Sequence, residues 1–228
     1  MKSQYVNFAF FKVDPAWRRL PEGERSRGKK EFIAVCESYP GVLQLHSYST
    51  VGIRADSDFM LWRIGYDLDA LQQMMGRLFG TGLGKYVSLS YSYFSMTKRS
   101  IYVDKHVHPG QDGSRLRVVP GESKYLFVYP FIKSRPWYSL SMEDRQRMMT
   151  QHIATGHKFP SVKINTTYSF GLDDQEFVLA FETDEPKDFL DLVQVLRESE
   201  ASKYTQQDIP SFTCVRRTLV ETMDLLGG

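Results

Sequence analysis

The chain has 228 residues, 42% of them hydrophobic, which is enough for two small domains or one fused pair. A net charge of +2, with Lys and Arg scattered rather than in a long run, argues against a nucleic-acid partner. Two cysteines (Cys36 and Cys214) cannot make a disulfide framework, no apolar run approaches the roughly 20 residues of a membrane span, and the N-terminus lacks signal-peptide order, so a cytoplasmic protein is expected.

The predicted elements come in one order, twice. A strand rich in Tyr, Phe and Val (Tyr5 to Val13) leads to a polar helix (about Gly23 to Ser38). Two strands around a turn follow (Val42 to Val51, Asp58 to Tyr66), then a helix (Leu68 to Phe79) and a last strand (Val87 to Met96). Ile101 to Lys124 carries Gly, Pro and charged residues and reads as a linker. The series then resumes with a strand (Tyr125 to Lys133) and a helix (Ser141 to Lys158), where Ser141 ahead of acidic residues suits an N-cap. Strands Val162 to Phe170 and Glu176 to Thr183, a helix from Pro186 to Glu200 and a strand from Ser211 to Leu219 complete it. This is β-α-β-β-α-β twice, an α+β fold of tandem ferredoxin-like units of the dimeric α+β barrel type. The expected halves are residues 1–100 and 125–228, joined by a linker over 101–124. Residue matches at a spacing near 120 support the duplication: Trp17 with Trp137, Tyr39-Pro40 with Phe159-Pro160, Lys85-Tyr86 with Lys203-Tyr204.

The differences between the copies point to function. In the helix from Ser141, residues Arg145, Met148, Met149, His152, Ile153 and Gly156 fall on one side at helical spacing, so His152 faces inward. Its counterpart is Phe32. On the second helix, Glu200 extends the stripe of Phe189, Leu192, Val193 and Leu196, where the first copy has Gly82. A carboxylate there should be buried and paired, and an inward histidine with a carboxylate on its far nitrogen is how metal-ligating histidines are held. One histidine without Cys or further His nearby does not make a zinc site, but it suffices for a haem iron. A hydrogen-bonded core histidine is the plainer alternative. Tyr129 and Lys133 replace Ala9 and Val13 and share one strand face, so both could line a cavity that His152 enters. His157 points away, near the helix end. His106 and His108 form an exposed loop pair. Gly80 to Lys85 departs from P-loop spacing, and Asp173-Asp174 with Glu176 reads as a turn.

Three segments resemble the chlorite dismutase-like haem proteins, which include the coprohaem decarboxylases. They are Tyr129-Pro130-Phe131-Ile132-Lys133-Ser134-Arg135-Pro136-Trp137-Tyr138, the run from Met142 to His152, and Gly171-Leu172-Asp173-Asp174-Gln175-Glu176-Phe177. The resemblance covers almost the whole chain. It implies an iron porphyrin (coprohaem III or haem b) with His152 as the iron ligand and Glu200 as its hydrogen-bond partner. Tyr129 matches the tyrosine oxidised to a radical that attacks a propionate, and Lys133 a lysine assisting there. Arg115, Tyr91, Tyr93 and Ser211 match propionate-binding positions, and Trp137 lies in the same motif. Chlorite dismutases place an arginine after a Val-Lys pair; here Val162-Lys163 is followed by Ile164 and Asn165. The distal residue is therefore open among Ile164, Asn165, His106 and His108. The implied activity is peroxide-dependent decarboxylation of coprohaem III to haem b, with chlorite dismutation, haem peroxidase activity or non-catalytic haem binding as alternatives. The implied partners are a porphyrin, hydrogen peroxide and further copies of the chain in a homo-oligomer, typically a ring of five.

Overall fold

The computed structural model describes residues 2–102 and 117–227. In chain order the elements are β1 (Tyr5–Val13), α1 (Glu22–Glu37), β2 (Leu43–Ser49), β3 (Phe59–Gly65), α2 (Leu68–Phe79), β4 (Val87–Met96), β5 (Tyr125–Lys133), α3 (Arg135–Ser139), α4 (Met142–Gly156), β6 (Lys163–Tyr168), β7 (Phe177–Thr183), α5 (Pro186–Arg197), β8 (Thr205–Gln207), β9 (Phe212–Arg217) and α6 (Leu219–Asp224). The α+β class and the duplicated ferredoxin-like order are as the sequence led us to expect. Contacts divide the chain into two compact units, residues 1–96 with 213–228, and residues 97–212.

In the first unit, β1 lies between β3 and β4, and β2 extends the sheet from β3, all antiparallel. β9 then pairs with β2, Ser47 opposite Arg217 and Ser49 opposite Val215. The core under α1 and α2 gathers Ala9, Phe11, Val13, Trp17, Phe32, Phe59 and Leu61, with Met223 and Leu226 from the chain end. Phe32 is fully buried and meets Phe11 and Phe59 edge-on. Two glycines allow the α1 approach: a Cβ on Gly28 would stand 2.7 Å from the Leu83 backbone nitrogen, and one on Gly82 would stand 2.9 Å from Gly28.

In the second unit, β7 pairs antiparallel with both β5 and β6, and β8 joins the end of β5. Side chains alternate faces along a strand, so Tyr125, Phe127, Tyr129, Phe131 and Lys133 share one face of β5. At the Tyr125 end this face is filled: Phe127 stacks on Phe189 of α5 at 4.0 Å between centroids, beside Val162, Phe181 and Leu192. At the Lys133 end it is open.

A buried carboxylate closes each unit in the same way. Asp58 accepts the backbone N–H of Val13 at 2.8 Å and donates its own N–H to Phe11 O. Glu176 accepts the N–H of Lys133 at 2.8 Å and donates its own to Phe131 O. Glu176, read from the sequence as part of a turn, is thus a buried strand anchor, and its repetition marks that role as architectural.

Candidate functional site

The open end of the second sheet forms a cavity of about 1230 Å³. β5 contributes Tyr129, Phe131 and Lys133; β6 contributes Ile164, Thr166 and Tyr168; β7 contributes Phe177, Leu179 and Phe181. From α4 come Arg145, Met149, His152 and Gly156, and its C-cap His157, expected to point away, also borders the cavity; α5 gives Val193, Leu196 and Arg197. In the first unit Ala9, Val13 and Phe32 lie together in one packed core. Their counterparts Tyr129, Lys133 and His152 line one open space. The second copy is hollow where the first is full.

His152 sits almost three turns into α4, on the helix face toward the sheet. Burial, and next the Lys133 cation, push its pKa down to about 4, so the ring is neutral at physiological pH. Its Nδ1 is buried with no hydrogen-bond partner. The expected partner is elsewhere: Glu200 is half-exposed, and its carboxylate takes a bidentate pair from Arg147 at 2.7 and 3.1 Å. The helical reading failed because α5 stops at Arg197. The Ser199 hydroxyl donates to Leu196 O at 2.6 Å, and Glu200 opens a short 3-10 turn instead of extending the stripe. The counterpart of Glu200 explains the difference between copies without a ligand. Glu31 of α1 reaches the Gly82 N–H at 2.7 Å, so each unit ties its first helix to the segment after its second.

Lys133 ends β5 almost buried. Its Nζ donates to Ala201 O at 2.7 Å and stands 4.6 Å from the Trp137 ring centroid, a cation–π contact. Burial lowers its pKa to about 8, with Glu176 opposing the shift. Trp137 is buried between Tyr102 and Tyr204 as well as lining the cavity. Its first-copy counterpart Trp17 is equally buried, so part of its role is packing. Tyr129 stacks on Phe181 at 5.6 Å, and burial first, then Asp208, raises its phenol well above the usual range. Tyr138, which the sequence reading passed over, lines the cavity with its hydroxyl on Glu176 at 2.5 Å.

Ile164 joins the apolar cluster around Phe181, and its neighbour Asn165 gives its amide to Glu182 at 2.8 Å. Tyr91, Tyr93 and Ser211 do not line the cavity. Tyr91 and Tyr93 belong to β4 of the first unit, where the Tyr91 hydroxyl donates to Asp56 at 2.8 Å and Asp56 also holds Arg54. Arg115, His106 and His108 lie outside the described residues.

The charge of the cavity was not legible in a chain of net charge +2. Lys98, Arg99 and Arg117 line it beside Lys133, Arg145, Lys163 and Arg197, against one carboxylate among the described residues, Asp208. That carboxylate is already paired with Arg197 at 2.7 Å. Seven cations facing one acid suit a polyanionic ligand, and the aromatic walls suit a flat one. Among the described residues, no group of three or more His, Cys, Asp or Glu could hold a metal ion, and no helix is long and apolar enough to cross a membrane.

Fold and cavity together define a duplicated ferredoxin-like α+β protein with a cationic, aromatic-walled site and an inward histidine. A family model described as chlorite dismutase matches residues 25–217. The coproheme decarboxylase of Mycolicibacterium smegmatis is 30% identical over 217 residues, spanning 92% of this chain and 88% of that protein. The chlorite dismutase of Ideonella dechloratans is 29% identical over 203 residues, spanning 88% and 71%. Among solved structures, a mutant chlorite dismutase from Candidatus Nitrospira defluvii superposes with a TM-score of 0.87 at 26% identity, over 97% of this chain and 94% of that one. The chain belongs to the chlorite dismutase family.

Proposed function

We propose that this protein is a coprohaem decarboxylase, converting iron coproporphyrin III to haem b with hydrogen peroxide in a reducing cytoplasm. The observation that carries the reading is the convergence of Tyr129, Lys133 and His152 in one cavity whose other charges are nearly all positive. The substrate is flat, apolar in its ring and carries four carboxylates, which is the complement of that lining.

The residues fit an iron porphyrin. His152 is neutral and lines the cavity, and its unpaired Nδ1 shows no group competing for the ring among the described residues. A neutral imidazole offers one lone pair, so His152 is the residue that would hold the iron. When bound, the iron porphyrin supplies the oxidising power of peroxide. Tyr129 is a protonated phenol at rest, because burial disfavours its phenolate. In the loaded site it would give an electron and a proton together to the oxidant and then take a hydrogen atom from a propionate held beside it, whose carboxyl leaves as carbon dioxide once a second electron passes to that oxidant. Lys133, two pleats along the same strand face, is a cation below pH about 8 and draws that carboxylate toward Tyr129. Each propionate, one peroxide and one proton yield a vinyl group, carbon dioxide and two waters.

Chlorite dismutation is disfavoured by Ile164 and Asn165. An apolar side chain and an amide engaged by Glu182 offer no positive partner to an oxyanion. The test is to add coprohaem and peroxide and follow the mass. Loss of two carboxyl groups supports the reading; oxygen release from chlorite with no porphyrin conversion overturns it. Tyr129→Phe should keep porphyrin binding within about twofold and abolish product; normal turnover by that variant would remove Tyr129 from the mechanism.

A further inference from the structure

We propose that Arg145 is a carboxylate anchor which, with His152, fixes the rotation of the porphyrin in its plane. The inference rests on the coprohaem reading above and assigns a residue that reading does not use.

Arg145 lies on the cavity side of α4, seven residues before His152. That is two helical turns, about 10 Å along the axis. Its position is electrostatically poor for a merely structural residue. It stands in the first turn of the helix, where the backbone dipole repels a cation. It is half-buried, its Nε is buried without a partner, and among the described residues no hydrogen bond or ion pair engages its guanidinium. The acidic neighbour Asp144 is turned to Ser141, whose hydroxyl it accepts at 2.6 Å.

The duplication supplies the control. The counterpart Arg25 also has a buried, unpaired Nε, so the position was inherited rather than invented. However, Arg25 donates Nη1 to Arg18 O at 3.1 Å in a unit whose core is filled. Arg145 has no such bond and faces the cavity. An uncompensated guanidinium in a concave, cation-rich site is set up for bidentate capture of a carboxylate. Three of the other six cations there are less suited, since Lys133, Lys163 and Arg197 already hold protein oxygens.

The consequence follows from rigidity. A hold by His152 at the iron and by Lys133 at the reacting carboxylate would not choose among the four propionates. A grip by Arg145 on another carboxylate, from the same helix as His152, would make that choice and so decide which propionate meets Tyr129.

The test uses iron-free coproporphyrin III, whose binding owes nothing to an iron–histidine bond, and its tetramethyl ester, which has no carboxylate. Arg145→Gln should weaken coproporphyrin III binding about tenfold or more, with Arg145→Lys recovering part of the loss and ester binding unchanged. With coprohaem and peroxide, the Gln variant should also release a mixture of singly decarboxylated isomers where the wild type gives one order. Equal binding of coproporphyrin III by wild type and Arg145→Gln overturns the anchor. So does equal loss of acid and ester, since that is the signature of a misfolded site. If the wild type binds neither coproporphyrin III nor coprohaem, the functional reading falls first and takes this inference with it.

Discussion

His152 is held in a state that folding, not solution, prefers. Its folded pKa near 4 lies below the ordinary 6.5, so between those values the unfolded chain binds the extra proton and the folded chain does not. Stability from this residue is therefore present above pH about 6.5 and lost as pH falls toward 4; at pH 5 the loss is on the order of 2 kcal/mol. Denaturant unfolding of the ligand-free protein at pH 7 and pH 5 should show it as a difference from His152→Phe, the residue the first copy carries at this place. A variant with the same pH dependence as wild type would show that His152 is not buried as described. Lys133 acts in the opposite window. Its folded cation exists below pH about 8, so affinity for coproporphyrin III should fall as pH rises through 8, and Lys133→Met should bind more weakly with that inflection gone. An inflection that survives in Lys133→Met belongs to another group.

Elements decide which side chains meet, and here the sequence was informative to different degrees. The strands Tyr5–Val13, Val87–Met96 and Tyr125–Lys133 and the helix Leu68–Phe79 run as read, because dense β-branched and aromatic residues or a clean amphipathic stripe leave little choice. Tyr129, Lys133 and His152 were legible as cavity residues because the first copy holds Ala9, Val13 and Phe32 there and only packs them, whereas Trp137 repeats Trp17 and stood out only by its motif. Glu200 was not legible. Its reading depended on α5 running one more turn, and a single serine hydroxyl on Leu196 O ends the helix first. Arg145 was visible on the inward stripe, yet only its lack of a partner among the described residues gives it meaning. The short helix α6 had a signature that went unread, Thr218 with Glu221 three residues on, a capping box that the structure forms in full. The Glu200 correction makes its own prediction. An exposed Arg–Glu pair contributes at most about 1 kcal/mol, so Glu200→Gln should barely change stability and should leave the absorption spectrum of the coprohaem-loaded protein unaltered. A shifted spectrum would restore Glu200 as a partner of His152.

At the scale of the whole molecule, the chain does not fold as two consecutive halves. Residues 213–228 follow the cavity-bearing segment in sequence but belong to the first compact unit. β9 covers the edge of β2, where the Ser47 hydroxyl donates to Arg217 O at 2.7 Å, and α6 inserts Met223 and Leu226 into the core beside Phe32 and Trp17. Both residues are at most 2% exposed, and truncating core side chains of this size typically costs about 2–5 kcal/mol each. Removing the segment also uncovers an unpaired strand edge. Against a typical domain stability of about 5–15 kcal/mol, the combined loss is enough to unfold the first unit. Ending the chain at Phe212 should therefore disrupt residues 1–96, although no residue of that range has been changed. Trp17 and Trp62 report on this unit and Trp137 on the other, so in a Trp137→Phe background the fluorescence melt reads the first unit alone. The truncated chain should show an exposed-tryptophan spectrum at 25 °C or a melting temperature lowered by ten degrees or more. The double variant Met223→Ala with Leu226→Ala should fall between it and wild type. An unchanged melt in the truncated chain would mean that the terminal strand and helix rest on a core already complete without them.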